Sequence, residues 1–132
     1  RAPDLAWMFE GIEDQEILGD FGFSGGGAAG FELDRADVRL GTPEEVRVVA
    51  SSENHTSSFV LVPEEMLTHI TNWPGEEEQQ KLIRSDIVYF RTSSGGEVFS
   101  TGSITFCGSL PWNDFDNNIS RLLENVIRRF LQ

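Results

Sequence analysis

The feature that most constrains this chain is a glycine-dense stretch, Gly22–Gly30, with a charged segment directly behind it. Five glycines and two alanines occupy these nine positions. Glycine loses the most backbone freedom on folding, so such a run indicates a loop that needs left-handed geometry or a close approach. In the next segment, Phe31–Arg39, carboxylates and guanidiniums alternate with small or apolar side chains. The stretch predicts a tight loop that delivers Glu32, and with it Asp34, to a site or a buried interface.

Length and charge narrow the class of protein. The chain has 132 residues, so a single domain over residues 1–132 with a genuine core is expected. It carries 22 acidic and 10 basic residues, a net charge of −12, which argues against nucleic acid or an anionic membrane as a partner. No apolar run approaches the roughly 18 residues that a membrane span needs. Cys107 is the one cysteine and cannot form an intrachain disulfide, so we expect a reducing, cytoplasmic location.

Apolar periodicity predicts an α/β fold, a mixed β-sheet of five or six strands with packed helices. The first strand, for which a helix is the alternative, is Leu5–Ile12. Five more strands follow from β-branched or aromatic runs: Val46–Ala50, Phe59–Val62, Asp86–Arg91, Glu97–Ser100 and Ser103–Cys107. A turn at Ser93–Gly96 should join two of them as a hairpin. Pro63–Met66 is typical of a helix start, and Asn72–Gln80 is expected to be an exposed loop.

The C-terminal segment predicts an amphipathic helix over Asn118–Leu131. Its apolar residues fall at i, i+3, i+4, i+7, i+8, i+11 and i+12 from Ile119. Asp116 or Asn117 should cap the N-terminus, and the arginines of the last turn suit the C-terminal dipole. We expect this helix to pack on one face of the sheet, with Phe130 among its core contacts.

Two motifs overlap within the glycine run. Gly22–Gly26 fits G-x-S-x-G, which would make Ser24 a nucleophile of a serine hydrolase, with His55 and His69 downstream. Gly25–Gly30 fits the dinucleotide pattern G-x-G-x-x-G. Both motifs require a strand before and a helix after, whereas the sequence that follows alternates instead of showing a helical stripe. Glycine density accounts for the dinucleotide match, and the serine hydrolase using Ser24 remains a weaker hypothesis.

Glu32 and His55 are the candidate catalytic residues. A carboxylate beside glycines and Phe31 would lose water, which suits it to general-base work. If the segment is extended, Glu32 and Asp34 lie on the same side. The alternative for Glu32 is a structural salt bridge to Arg35 or Arg39. His55 follows a strand in a polar loop and could shuttle protons, or it could simply be an exposed loop histidine.

No clustered metal-binding spacing is present. The chain has two histidines and one cysteine, but neither C-x-x-C nor H-x-x-x-H. A complete metal site within the chain is therefore not expected.

Three segments in a fixed order resemble the N,N-dimethylformamidase large-subunit (beta) family, in its C-terminal region. These segments are SGGGAAGFELDRADVRLGTP, VVASSENH and DIVYFRTSSGGEVFSTGSITFCGSLPWNDFDNNISRLLENVIRRFL. The resemblance covers Trp7–Leu131. Because the family's large subunit is several times longer, it implies that the chain is a C-terminal fragment, inactive alone.

The resemblance also implies a function. The family hydrolyses the C–N bond of N,N-dimethylformamide to formate and dimethylamine, with an iron held by two tyrosines and a carboxylate. Iron would act as a Lewis acid on the amide carbonyl. This chain has one tyrosine, Tyr89, so the ligands are expected outside it. Glu32 is the place for the family's assisting acid, whereas His55 is not matched to its histidine.

The implied partners are the remainder of the large subunit, a small subunit and a small amide substrate, within an oligomer. The rival hypothesis is a non-catalytic domain for assembly and stability. The region is also similar to class I glutamine amidotransferase-like α/β folds, although Cys107 lacks the His and Glu pattern of their nucleophile.

Overall fold

The computed structural model describes residues 3–68 and 75–132. His69 and the first part of the predicted Asn72–Gln80 loop lie outside the described residues. The strands are β1 (Arg47–Ser52), β2 (Ser85–Arg91) and β3 (Glu97–Ser100). The α-helices are α1 (Pro63–Thr68), α2 (Glu76–Leu82), α3 (Phe106–Ser109) and α4 (Asn118–Phe130), and 3-10 helices cover Pro3–Phe9, Val38–Leu40 and Trp112–Phe115.

The described strands form one antiparallel sheet in the order β1-β2-β3. In the β2–β3 hairpin, Val88 pairs with Ser100 and Arg91 with Glu97, which confirms the predicted hairpin. The α/β class is confirmed at this level, but the sheet is antiparallel rather than mixed, and three strands replace the predicted five or six. The likeness to glutamine amidotransferase folds is not confirmed by this topology.

The three remaining strand predictions were wrong, each for a different reason. Leu5, Met8 and Phe9 of the first segment are buried at helical spacing in a 3-10 helix, the alternative allowed for it. Phe59–Val62 has no strand partner among the described residues and forms no regular element. In Ser103–Cys107, the Ser103 hydroxyl bonds the backbone of another segment, which competes with a sheet ladder. The predicted loop Asn72–Gln80 is also wrong over its second part, because helix α2 begins at Glu76.

Helix α4 has the predicted bounds and cap, but its buried face is shorter than expected. The Asn117 side chain accepts a hydrogen bond from the Ser120 amide, as an N-cap residue does. Ile119, Leu122 and Val126 are fully buried against the N-terminal 3-10 helix, in a core shared with Phe106 and Ile87. Phe130 is 44% exposed and does not join them. The core therefore ends one turn before the apolar stripe does.

Two asparagines of α4 fix the N-terminal segments on the core. Asn118 accepts the Gly19 amide at 3.0 Å and donates to the Ile17 carbonyl at 2.9 Å. Asn125 donates to the carbonyls of Met8 and Glu10, both at 2.9 Å. These hydrogen bonds satisfy backbone polar groups of the segments that pack against the helix. They therefore hold in place the chain that leads into the glycine-rich loop.

Candidate active site

Glu32 lines a cleft of about 450 Å³. The apolar wall of the cleft is formed by Phe59–Val62 and by Leu82 and Ile83, while Asp34 and Arg35 also line it. Glu32 itself is exposed, with a φ of 49° in the left-handed region. That conformation is uncommon outside glycine and costs energy that the surroundings must supply. A carboxylate next to an apolar wall and open to solvent has the access that proton transfer to a bound small molecule requires.

The residues on both sides of Glu32 are anchored. The Ser103 hydroxyl donates to the Phe31 carbonyl at 2.7 Å. The Asp34 amide donates to the Gly102 carbonyl, and the Asp34 carbonyl accepts from the Asp86 amide, both at 2.8 Å. Glu32 makes no hydrogen bond or ion pair with any residue that the structure describes. Its carboxylate is thus left available between two fixed points of backbone.

Neither salt bridge considered for Glu32 forms. Arg35 donates instead to Glu65 and Asp37, and Arg39 donates to Asp37. The Glu65 hydrogen bonds raise the pKa of Arg35 further, so the guanidinium stays charged. The hydrogen bond from the Arg39 side chain holds the pKa of Asp37 well below its usual range, against the effect of burial. Both arginines near Glu32 are therefore paired with other carboxylates.

The expected loss of water around Glu32 is not found. Phe31 is 57% exposed and does not shield the neighbouring carboxylate. The left-handed turn at Glu32 also interrupts the extended alternation that was to place Glu32 and Asp34 side by side. Both acids line the cleft and are exposed, but no hydrogen bond joins them.

His55 lies beside the cleft rather than in it. Its Nε2 is 3.1 Å from the Ser52 carbonyl oxygen, which can only accept, so this nitrogen carries a proton. The centroid of its ring lies 5.0 Å from the ring centroid of Phe59, and Phe59 lines the cleft. No contact in the described part of the chain joins His55 to Glu32. The proton-shuttle role of His55 stays a prediction.

The glycine run serves close packing and not either of the predicted motifs. Residues 21–37 contain neither strand nor α-helix, so the elbow and the dinucleotide fingerprint lack their required flanks. The Ala28 amide donates to the Gly19 carbonyl at 2.8 Å, and a Cβ on Gly27 would lie 2.8 Å from that oxygen. Ser24 is exposed, without a described histidine contact. The run lines a second cleft, of about 550 Å³, together with β1.

The residues described here do not fit an iron centre by themselves. Within residues 3–68 and 75–132, no group of three or more histidine, cysteine, aspartate or glutamate side chains could hold a metal ion. Tyr89 is buried in β2, where its hydroxyl accepts from Arg91 at 3.4 Å.

Within residues 3–68 and 75–132, no helix is long and apolar enough to cross a membrane.

Sequence reasoning missed the residues that build the cleft. Glu65 lies within the predicted helix start Pro63–Met66, and the structure buries it against Arg35. Ser103 was assigned to a strand. The available signal was the apolar run Phe59–Val62 directly before Pro63, of which Leu61 is buried and Phe59 half-buried.

Comparison with known sequences defines the class of protein. Residues 1–119 match the family described as "N,N-dimethylformamidase beta subunit-like, C-terminal". The chain belongs to this family, as the sequence segments around Glu32 indicated.

Two curated relatives then place it more closely. The chain is similar to the N,N-dimethylformamidase beta subunit of an Alcaligenes species, at 43% identity over 128 residues. It is equally similar to that of Paracoccus aminophilus, at 43% over 127 residues. The matches cover 97% and 96% of this chain. The chain spans only 16% of the length of either relative.

Proposed function

We propose that the chain is the C-terminal part of an amidohydrolase that hydrolyses the C–N bond of N,N-dimethylformamide or a related small amide, giving formate and an amine. Glu32 is its general acid–base. The observation that carries the proposal is the position of Glu32, an unpaired carboxylate in a left-handed turn on an apolar-walled cleft. The names of the two relatives support the reaction class.

The chemical role proposed for this chain is proton transfer. The Glu32 carboxylate accepts a proton from water as the water oxygen attacks the amide carbonyl carbon. The same group then returns the proton to the nitrogen as the C–N bond breaks, so that a neutral amine leaves. The apolar wall of Phe59–Val62 would take the N-alkyl groups of the amide. A side chain without a competing ion pair is suited to both steps.

Iron is part of the proposal because of the family resemblance, and not because the residues of this chain could bind it. Since the described residues offer no cluster for a metal, the iron ligands would lie in the rest of the large subunit. The isolated 132-residue chain should then lack amidase activity and stoichiometric iron. Tight iron binding by the isolated chain, detected by elemental analysis, would reject this placement.

Partners of the chain are proposed to be the remainder of the large subunit, a small subunit and further copies in an oligomer. The relatives are named as beta subunits and extend far beyond this chain. An open apolar groove along α4 supports the first partner: Leu110, Phe115, Leu123, Ile127 and Leu131 line it. Ser120, Glu124 and Arg128 also line this groove, and apolar side chains with a polar rim are a common form of protein contact surface.

The same groove favours the second candidate function, a non-catalytic assembly domain. Under that hypothesis Ile127→Asp in the full-length parent would disrupt assembly, seen by size-exclusion chromatography, and substitutions at Glu32 would leave turnover unchanged. The effect of a Glu32 substitution on turnover therefore distinguishes the two candidate functions.

The deciding experiment is Glu32→Gln in the full-length parent. It keeps the shape and removes the base, so kcat per iron should fall by about 10²–10⁴, with melting temperature and iron content nearly unchanged. Glu45→Gln, an exposed carboxylate before β1, is the matched control and should leave kcat unaltered. A lower melting temperature with unchanged turnover would reject the catalytic role.

A further inference from the structure

Arg35 joins three segments beneath the candidate site. Its Nη1 donates to Glu65 Oε2 at 3.0 Å and to the Leu82 carbonyl at 3.2 Å. Its Nη2 donates to Glu65 Oε1 and, at 3.1 Å, to Asp37 Oδ2, which Nε also approaches at 3.3 Å. Its hydrogen-bonding capacity is thus used on α1, on the end of α2 and on its own segment.

The pairing with Glu65 is a two-armed, largely buried one. The side chains of Arg35 and Glu65 are only 8% and 10% exposed. A guanidinium fork matches a carboxylate in one orientation, whereas the ammonium of lysine is a point charge that fixes no plane. Burial removes the competition from water that weakens surface pairs. The geometry of this contact is therefore specific to arginine.

Arg35 acts on the backbone only three residues beyond Glu32. The anchors of Phe31 and Asp34 hold that backbone to residues 86, 102 and 103. None of these anchors reaches α1 or Leu82. Among the described contacts, Arg35 connects the Glu32 segment to α1 and to Leu82, next to the apolar wall of the cleft. Arg84, which donates to the Ala36 and Lys81 carbonyls, also connects that segment to α2.

We propose that Arg35 is a positioning residue for Glu32: its fork on Glu65 and its bond to Leu82 set the distance between the Glu32 carboxylate and the wall against which the amide lies. This inference rests on the proposed function of Glu32. A displacement of a catalytic group by about 1 Å can cost about 10²-fold in rate. Loss of the fork should thus reduce turnover even where the charge is retained.

The test is Arg35→Lys in the full-length parent, assayed with N,N-dimethylformamide, alone and combined with Glu32→Gln. Arg35→Lys should lower kcat by about 10- to 100-fold with KM little changed. In the Glu32→Gln background it should cause no further loss of kcat, because the group that it positions is already absent. Arg39→Lys is the control, since Arg39 holds the same Asp37 carboxylate from outside, at 69% exposure, and should leave kcat unaltered.

The outcomes separate this inference from the proposed function. If Glu32→Gln retains full kcat, the proposed function fails and the positioning role fails with it. If Glu32→Gln is inactive but Arg35→Lys has normal kcat, only the positioning role is overturned. Equal losses from Arg35→Lys in both backgrounds would also overturn it, since they show an effect that bypasses Glu32.

A second variant covers the case in which Arg35→Lys does not assemble. Glu65→Gln keeps the size of the side chain and one acceptor arm, so it loosens the fork without leaving a bare cation. It should show the same loss of kcat, again absent in the Glu32→Gln background. Normal kcat in an assembled Glu65→Gln enzyme would overturn the positioning role.

Discussion

The Ser103 hydroxyl donates to the Phe31 carbonyl oxygen at 2.7 Å and accepts the Gly30 amide at 3.3 Å. One side chain thus satisfies backbone groups of two consecutive residues at the point where the glycine-rich loop becomes the Glu32 segment. The Gly30 amide lies in a poorly hydrated region, since Ser103 and Gly30 are buried. A backbone group left without such a partner carries the full cost of its lost hydration.

Ser103→Ala should therefore destabilise the fold by about 1–3 kcal/mol, the cost of buried polar groups left unsatisfied. Ser94→Ala, in the exposed hairpin turn, should change stability by less than about 0.5 kcal/mol. Urea denaturation of the 132-residue chain measures both. Equal stabilities for the two variants would mean that water replaces the hydroxyl.

Helix α4 should show a sharp boundary between core and surface along its apolar stripe. Leu122→Ala should cost about 2–5 kcal/mol, because Leu122 is fully buried in the core. Leu131→Ala, one residue beyond the helix and 81% exposed, should cost less than about 0.5 kcal/mol. Phe130, half-exposed, should fall between them. Chemical denaturation of the three variants would contradict this boundary if Leu131→Ala were as damaging as Leu122→Ala.

Asp37 should contribute stability that depends on pH. Its folded-state pKa lies below the ordinary value of 3.8, so the contribution is complete above that value and is lost as pH falls through the folded pKa. Asp37→Asn should lower the melting temperature near neutral pH, and its difference from the unmodified chain should shrink below about pH 4. Glu45→Gln is the control. A difference in melting temperature between Asp37→Asn and the unmodified chain that stays constant down to acidic pH would contradict the lowered pKa of Asp37.

Ser24 should be dispensable for turnover. It is exposed and lacks both the flanking elements of a nucleophile elbow and a described histidine partner. Ser24→Ala in the full-length parent should retain most activity, and a fluorophosphonate probe should not label Ser24. Stoichiometric labelling at this residue would restore the serine hydrolase hypothesis.

The elements predicted correctly are those that local sequence determines. The α4 helix begins and ends close to its prediction because its apolar period and its Asn117 cap act within a few residues. The hairpin of β2 and β3 is likewise set by a short turn and two β-branched runs.

The errors occur where distant residues decide. Ser103–Cys107 has a strand-like composition, but its hydroxyls serve a carbonyl 72 positions away. Glu65 is buried against Arg35, which lies 30 positions away in another segment. Glu32 could be selected from its neighbours, whereas the cleft beside it depends on contacts between α1, α2 and the Glu32 segment. No pattern within one segment contains that information.

The irregular pairing of β1 has a consequence for self-association. The register of β1 against β2 shifts between Val48 and Ala50, which leaves Val49 out of the ladder on an edge strand. An irregular edge is a poor template for the edge of another molecule, and the opposite edge, β3, is only four residues long and begins with a charged residue. Concentrated solutions of the isolated chain should therefore aggregate through the apolar α4 groove, without cross-β order.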